Sequence, residues 1–213
     1  MAKNKLKRFE EIKSFPNVLE IPENTAGNWK NIFGNENPVT LELACGAGEY
    51  TIALARRFSQ RNFIGIDIKG ARIFKGAKIA AEEKLTNALF LRTQIDHITK
   101  FFSKDEVKEI WILFPDPFPS KPKWKKRLTS TRFLDRYRQL LIRGGKIHLK
   151  TDDDDLFEFT LQTIAKLKLN ILHSTNNLYA STLQEEVLNE KTFYENIHLA
   201  KGKTIKYVCF ELI

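Results

Sequence analysis

Short apolar runs alternate along the chain with longer segments in which apolar residues recur at helical spacing. This alternation is typical of an α/β protein with a parallel sheet. The predicted strands are Val39–Leu43, Asn62–Asp67, Ala88–Leu91, Glu109–Phe114, Lys146–Thr151, Leu167–His173 and Thr204–Leu212. The predicted helices are Glu49–Arg57, Gly70–Lys84, Thr129–Leu141 and Asp154–Ala165. The pattern predicts one domain over residues 1–213, with the pair Gly144–Gly145 marking a step from helix to strand.

Two segments depart from this alternation. Residues 1–13 are basic and are predicted to form a flexible N-terminal arm. Ser174–Lys191 is polar with weak periodicity, which predicts either a mobile flap or a short helix.

Charge separates this chain from an average globular protein. Its 213 residues are 42% hydrophobic and 29% charged, which is ordinary, but the formal net charge is +9 and the pI is near 9.5. Such a charge favours nucleic acid or an anionic membrane surface as partner, although a merely basic enzyme is the alternative. The N-terminus has no apolar core, and no apolar run is long enough to span a bilayer. We therefore expect a cytoplasmic protein with no membrane partner.

Cysteine and histidine are sparse. Cys45 and Cys209 are the two cysteines, and four histidines are scattered without a recognisable ligand spacing. The sequence therefore predicts neither a disulfide framework nor a metal site.

The stretch LELACGAGEY, residues 41–50, follows the first predicted strand and opens a helix. Gly46 and Gly48 lack side chains, so a ligand can approach the turn closely. Nineteen residues past Gly48, Asp67 ends the second predicted strand, where a carboxylate can accept hydrogen bonds from ribose hydroxyls. Thr51 stands where the nicotinamide fingerprint requires a third glycine. The loop thus predicts an adenosine-containing cofactor and disfavours a dehydrogenase.

Glu42 lies inside an otherwise apolar strand. A buried charge needs a partner. The ammonium and sulfonium of S-adenosylmethionine would supply one, and a nearby lysine or the backbone is the alternative.

The stretch FPDPFPSKPKWKKRL, residues 114–128, places a carboxylate between two prolines at the end of a predicted strand. Pro115 and Pro117 fix their own φ angles and orient Asp116 at the carboxyl edge of the sheet, where α/β proteins bind ligands. Lys123, Lys125, Lys126 and Arg127 follow and are predicted to contact the phosphates of a polyanion. Trp124 is predicted either to stack on an exposed base or to pack the loop against the body.

Together with LELACGAGE, FIGIDIKGAR, HLKTDDDDLFEF and KTFYE, this stretch resembles the bacterial tRNA (guanine-N7)-methyltransferase family over roughly residues 38–211. The resemblance implies a class I, Rossmann-like methyltransferase with a mostly parallel seven-stranded sheet and helices on both faces. It also implies methyl transfer from S-adenosylmethionine to N7 of a variable-loop guanine in tRNA. We expect the protein to be a monomer or a homodimer.

The resemblance carries several residues into the cofactor site. Glu42, Asp67 and Asp116 match the acids that line it, beside Gly46 and Gly48 of the loop. Gln94 falls where the family often has Asp, and Ala44 falls where it has its first loop glycine, which suggests a slightly different turn.

Other residues are implied to contact the substrate: Asp152, Thr192, Tyr194 and Glu195, with Lys121 taking the role of a basic residue whose matching position is Ser120. N7 of guanine has a free lone pair and no proton to lose, so the reaction needs positioning more than a base. We expect Asp116 to be catalytic by stabilising the cationic purine. The alternatives are a methyltransferase acting on another RNA, a small molecule or a protein, and a noncatalytic RNA-binding module.

Overall fold

A computed structural model describes residues 2–183 and 186–212 of the chain. Its strands are β1 (Val18–Glu20), β2 (Val39–Leu43), β3 (Asn62–Asp67), β4 (Ala88–Arg92), β5 (Val107–Leu113), β6 (Leu141–Thr151), β7 (Asn170–Thr175) and β8 (Lys206–Glu211). Its α-helices are α1 (Ala2–Glu11), α2 (Trp29–Phe33), α3 (Glu49–Arg57), α4 (Gly70–Glu82), α5 (Thr131–Tyr137), α6 (Asp154–Lys166) and α7 (Phe193–Ala200). Short 3₁₀ segments lie at Ile12–Ser14, Ile95–Lys100, Lys121–Lys126, Leu178–Ala180 and Glu186–Asn189.

The strands form one mostly parallel sheet in the order β1-β4-β3-β2-β5-β6-β8-β7, in which β8 runs antiparallel to both of its neighbours. The central strands β2 and β3 are buried along their whole length, as expected for parallel strands covered on both faces. One apolar layer packs α2, α5 and α6 against the sheet, and the other packs α3 and α4. The predicted fold class is therefore confirmed.

The strand order determines where a ligand can bind. From β2 the chain proceeds to β3 and β4 on one side and then crosses to β5 on the other side of β2. The loops after β2 and β5 therefore diverge at the carboxyl edge of the sheet, which is where doubly wound sheets open a crevice.

Among the described residues the sheet has eight strands, one more than the seven predicted. The additional strand β1 is three residues long and pairs in parallel with β4, from Val18 beside Phe90 to Glu20 beside Arg92. Three residues are too few to show a periodicity, so the sequence pattern missed it.

Two predicted boundaries differ for identifiable reasons. Leu167 and Leu169, predicted to begin a strand, instead terminate α6, because Lys168 adopts φ +54° and the Leu169 amide donates to the Ile164 carbonyl at 3.0 Å. The pair Gly144–Gly145 lies inside β6 and does not precede it, at a place where the register with β5 shifts. Gly144 has φ +73°, so the glycines allow a bulge in the strand.

The N-terminal segment, predicted to be flexible, forms α1 and a 3₁₀ turn packed on α4. Ile12 is buried, the Phe15 and Phe74 rings stack at 5.4 Å, and the Arg92 guanidinium lies 4.5 Å from the centre of the Phe9 ring. These apolar contacts explain the helix, since the basic residues alone would favour an extended arm. Within Ser174–Lys191, β7 ends at Thr175 and two 3₁₀ turns follow, while residues 184–185 lie outside the described part.

Candidate active site

The glycine loop adopts left-handed backbone conformations at three positions. Ala44, Gly46 and Gly48 have φ values of +57°, +57° and +68°. A Cβ on Gly48 would lie 2.4 Å from the Phe90 ring, so this position requires glycine both for its φ and for space. Ala44 adopts the conformation that a glycine would favour, at a cost of about 1–2 kcal/mol. Alanine at this position is therefore accommodated by backbone strain, and the expected difference in the turn stays a prediction.

Two carboxylates brace this loop from beneath. The Glu42 carboxylate accepts hydrogen bonds from the Thr51 amide at 2.8 Å and the Thr51 hydroxyl at 2.5 Å. It thereby caps the start of α3, whose N-cap residue Gly48 has no side chain. Burial raises the pKa of Glu42 to about 7, against the lowering effect of its bonds to Thr51. In this conformation Glu42 is therefore satisfied by one backbone amide, as in the predicted alternative, and also by one hydroxyl, both from Thr51.

Asp67, the last residue of β3, likewise accepts hydrogen bonds from backbone amides. Its Oδ2 accepts from the Gly46 amide at 3.0 Å, and its Oδ1 accepts from the Lys69 amide at 2.8 Å. Each carboxylate oxygen has a second lone pair, so these bonds leave room for further donors.

A cleft of about 700 Å³ opens at the carboxyl edge between this loop and the Pro-Asp-Pro segment. Three of the predicted cofactor residues, Asp67, Gln94 and Asp116, line it together with Ala44. Its remaining lining is Ile68, Lys69, Arg72, Thr93, Ile95, Asp96, His97, Pro115, Phe118, Lys126, Leu128, Arg132, Phe133 and Arg136. Glu42, Gly46 and Gly48 are not among the lining residues and shape the loop from behind.

Residues Phe114–Phe118, which we call the elbow, form a strained turn directly after β5. Phe114 and Phe118 have φ values of +47° and +44°, and strain of this kind costs of order 1–3 kcal/mol at each position. Between them Asp116 is exposed at the rim of the cleft. Within the described residues its carboxylate makes no side-chain hydrogen bond or ion pair. The elbow thus presents a free carboxylate to the cleft.

Arg127 holds the elbow in place, and this corrects its predicted role as a phosphate contact. Its side chain is buried, with the residue only 1% exposed. Its Nε donates to the Pro117 carbonyl at 2.7 Å and its Nη1 donates to the Asp155 carbonyl of α6 at 3.2 Å. A guanidinium that is engaged and enclosed in this way has no open face for a phosphate.

The contacts of Trp124 distinguish between its two predicted roles, stacking on a base and packing the loop. The guanidinium carbon lies 4.9 Å from the Trp124 ring centre and 4.6 Å from that of Phe159. The Trp124 indole also donates to the Pro119 carbonyl at 3.3 Å. Trp124 therefore packs the basic loop against the body of the protein.

The lysines of the same loop remain accessible. Lys121, Lys123, Lys125 and Lys126 are all exposed on the 3₁₀ turn after the elbow. Lys126 also lines the cleft, so this basic surface continues to the cleft entrance.

The residues predicted to contact the substrate are engaged in contacts within the protein. Oδ2 of Asp152 lies 2.5 Å from the Lys203 ammonium and 3.1 Å from Nδ1 of His198. The His198 ring stacks on Phe114 of the elbow at 5.6 Å. Asp152 is thus at the predicted strand tip beside the elbow, but its carboxylate is paired with the Lys203 ammonium and lies beside the His198 ring.

Glu195 is fully buried at the start of α7. Its Oε1 accepts from the Lys150 ammonium at 3.2 Å and from the Tyr179 hydroxyl at 2.5 Å. Its Oε2 accepts from the Thr192 amide, while Thr192 Oγ1 accepts from the Glu195 amide, forming a reciprocal cap. In this conformation Glu195 cannot reach a guanine edge, which corrects its predicted role. Tyr194, between the two, is exposed.

Sequence reasoning missed a cationic group on the cleft wall. Arg132 and Arg136 of α5 both pair with Asp96, and the Arg136 Nε donates to the Asp96 carbonyl at 3.0 Å. Their spacing of four residues places both on one helix face, which is the signal that would have indicated a shared partner. Lys150, an isolated lysine within an apolar strand, similarly indicated that a buried acid would pair with it, and that acid is Glu195.

Comparison with known proteins now identifies this arrangement. A family model described as "Putative methyltransferase" matches residues 36–208. The tRNA (guanine-N(7)-)-methyltransferase of Bacteroides fragilis is 44% identical over 221 residues, which cover 100% of this chain and 87% of the relative. That of Christiangramia forsetii is 45% identical and covers 99% of each chain. This chain belongs to the tRNA (guanine-N7)-methyltransferase family.

Solved structures with low sequence identity share the fold. The 16S rRNA methyltransferase KamB superposes with a TM-score of 0.66 at 15% identity, covering 90% of this chain and 95% of that one. A geranyl diphosphate C-methyltransferase from Streptomyces coelicolor, solved with S-adenosyl-L-homocysteine, gives 0.56 at 12% identity and covers 100% of this chain and 81% of that one. At such identities the likeness establishes the Rossmann-like methyltransferase fold alone.

Two features are absent from the described residues. No helix there has the length and apolar character needed to cross a membrane. In the same part of the chain, no group of three or more His, Cys, Asp or Glu side chains is arranged to hold a metal ion.

Proposed function

We propose that this protein transfers a methyl group from S-adenosylmethionine to N7 of a variable-loop guanine in tRNA. The observation that carries the proposal is the elbow, which presents the free carboxylate of Asp116 to the cleft beside an exposed basic turn. Membership of the tRNA (guanine-N7)-methyltransferase family supports the same conclusion.

The residues around the cleft fit the cofactor. Its volume of about 700 Å³ lies within the range of about 300–1,000 Å³ that is usual for small-molecule sites. Asp67 retains lone pairs for ribose hydroxyls, Gln94 offers an amide for the adenine amino group, and Ile68 and Ile95 offer apolar surface to the ring. When bound, S-adenosylmethionine supplies an electrophilic methyl group on a sulfonium centre. Glu42 does not line the cleft, so in this conformation it would act on the cofactor through the loop that it supports.

Asp116 has two tasks in this account. Guanine N7 needs no base, because its lone pair is free, so the protein must orient the ring and stabilise the charge that it gains. A carboxylate at the rim can accept hydrogen bonds from the N1–H and amino groups of guanine. The same negative charge favours the purine as it becomes cationic. The strained, clamped elbow keeps the carboxylate in position without a side-chain partner to compete for it.

The basic turn supplies the affinity for tRNA. Lys123, Lys125 and Lys126 are proposed to contact phosphates, and Lys121 to contact the substrate close to the elbow. A tRNA substrate argues for action in the cytoplasm. The expectation of a monomer or a homodimer stays a prediction.

The direct test is methyl transfer from labelled S-adenosylmethionine to an unmodified tRNA transcript, followed by nucleoside analysis. We expect 7-methylguanosine from the variable loop, and a transcript with adenine at that position should accept no label. Label at another atom, or label in ribosomal RNA but not in tRNA, would contradict the proposal.

A further inference from the structure

The cleft carries more positive charge than its cofactor requires. Three aspartates line it beside five basic side chains, which are Lys69, Arg72, Lys126, Arg132 and Arg136. S-adenosylmethionine has an ammonium, a sulfonium and one carboxylate, so a single cation suffices for its only anionic group. Like charges gathered in one cleft repel each other, and an anionic ligand relieves this repulsion. The lining therefore indicates that a second ligand, an anion, enters the same cleft.

Arg132 of α5 has a guanidinium that is held on one side and open on the other. Its Nη2 donates to Oδ1 of Asp96, and its guanidinium carbon lies 5.5 Å from the centre of the Phe133 ring. Among the described residues its Nε and Nη1 have no hydrogen-bond partner, and its side chain is 42% exposed. Donors on a fixed guanidinium therefore remain available to an oxyanion.

Arg136, one helical turn further on, is engaged within the protein. Its Nε donates to the Asp96 carbonyl at 3.0 Å, and its Nη1 donates to the Arg132 carbonyl at 2.9 Å. Its Nη2 also lies 3.6 Å from Oδ1 of Asp96. Arg136 thus fixes both the backbone of Arg132 and the acid that anchors the Arg132 side chain. A group that is already ordered loses little conformational entropy when a ligand binds to it.

The start of α5 is also joined to the basic turn. The Ser130 hydroxyl donates to the Lys125 carbonyl at 3.2 Å, and the Ser130 amide donates to the Arg127 carbonyl at 2.9 Å. Lys126 at the end of that turn and Arg132 near the start of α5 line the cleft that Asp116 also lines. Two accessible cations on connected elements therefore share one cleft with the free carboxylate of the elbow.

We propose that Arg132 and Lys126 bind a backbone phosphate of the nucleotide whose guanine accepts the methyl group, with Asp96 and Arg136 as positioning residues. This inference rests on the proposed function. A guanine that reaches Asp116 brings the phosphates on the two sides of its own ribose to the cleft. Phosphate contacts fix the register of a nucleic acid and carry no sequence information. The site would therefore set the position of N7 and would not select the base.

The first test compares Arg132→Gln with Arg143→Gln. Arg143 is exposed near the start of β6, at the opposite edge of the sheet, and serves as the control for losing one positive charge. Arg132→Gln should weaken binding of an unmodified tRNA transcript about 10-fold and flatten the slope of log affinity against log salt by about 0.7–0.9. Arg132→Lys should keep the slope, because it keeps the charge. Affinity for S-adenosylmethionine should stay within about twofold of wild type in all three variants.

The second test locates the phosphate with tRNA that carries an uncharged methylphosphonate on the 5′ or the 3′ side of the target guanosine. One of the two replacements should weaken wild-type binding about 10-fold and leave Arg132→Gln without further loss, because the two changes remove the same contact. Arg136→Gln should show a smaller methylphosphonate penalty than wild type, since it releases Asp96. A penalty equal to that of wild type would show that Arg136 does not position the site.

Two results would overturn the inference. Additive losses from Arg132→Gln and the methylphosphonate would show that the two groups do not meet. Weaker binding of S-adenosylmethionine by Arg132→Gln, with tRNA affinity unchanged, would show that Arg132 serves the carboxylate of the cofactor. A wild-type protein that methylates no tRNA guanine would instead overturn the proposed function, so the failures are distinguishable.

Discussion

On the glycine-loop side of the cleft, two carboxylates hold backbone N–H groups, whereas on the elbow side a guanidinium holds backbone carbonyls. Glu42 and Asp67 accept from the Thr51 and Gly46 amides, and Arg127 donates to the carbonyls of Pro117 and Asp155. The three acids, Glu42, Asp67 and Asp116, therefore differ in what they contact. Those of the loop are engaged with backbone amides, while Asp116 is left free; we propose that it is free to act on the substrate.

The largest effect is expected from Asp116→Asn, which removes the charge and keeps the shape. Because no other contact depends on this carboxylate, turnover should fall by about 10²–10³-fold while the melting temperature stays unchanged. Asp105→Asn, at an exposed position away from the cleft, is the control and should leave both quantities as they are. Wild-type turnover in Asp116→Asn would return Asp116 to a structural role in the turn.

The next largest effect should come from Arg127→Leu, which keeps apolar bulk between Trp124 and Phe159. Two carbonyls would lose a charged donor, so the free energy of unfolding should fall by about 2–4 kcal/mol. Denaturant unfolding measures this, and Lys126→Leu on the exposed neighbour should stay within about 0.5 kcal/mol of wild type. Equal effects at the two positions would show that the elbow is not clamped by Arg127.

Glu42→Gln should change the pH dependence of stability. Since burial raises the pKa of Glu42 from 4.5 to about 7, its ionisation opposes folding increasingly as the pH rises through this window. Between pH 5 and pH 8, the free energy of unfolding of the wild type should fall by up to about 3 kcal/mol relative to that of Glu42→Gln. Unfolding at four pH values measures the difference, with the exposed Glu36→Gln as control. A difference in the free energy of unfolding between the two proteins that does not vary with pH would contradict a raised pKa of Glu42.

The smallest effects concern the exposed lysines of the elbow side. Replacing Lys123, Lys125 and Lys126 by alanine should flatten the dependence of log tRNA affinity on log salt by about 0.7–0.9 per true phosphate contact. Affinity for S-adenosylmethionine should change little by comparison. Coincident salt slopes for the variant and the wild type would show that this turn does not bind phosphates.

The glycine-loop side was more predictable from sequence than the elbow side. β2, β3 and α3 have the predicted bounds, because their apolar periodicity is strong and the loop between them is short. What the acids contact was not predictable, since the bonds of Glu42 and Asp67 depend on how the loop folds back. Arg127 was misassigned because a basic run looks uniform in sequence, while the structure buries one member and exposes the others.

The resemblance to the family indicated which residues lie near the cleft, but it did not indicate what each of them contacts. Asp67, Gln94 and Asp116, which it implied for the cofactor site, do line one cleft, and their roles toward the cofactor stay predictions. It could not indicate that Glu195 is enclosed by Lys150 and Tyr179, because those partners are distant in sequence.

The measurement that tests this account most directly is methyl transfer to tRNA by Asp67→Asn and Asp116→Asn as a function of S-adenosylmethionine concentration. If Asp67 serves the loop and the cofactor, its variant should need about 5- to 150-fold more cofactor and then approach wild-type turnover at saturation. If Asp116 acts on the guanine, its variant should saturate at the wild-type cofactor concentration and remain slow. Recovery of Asp116→Asn by excess cofactor, with no recovery of Asp67→Asn, would contradict the account.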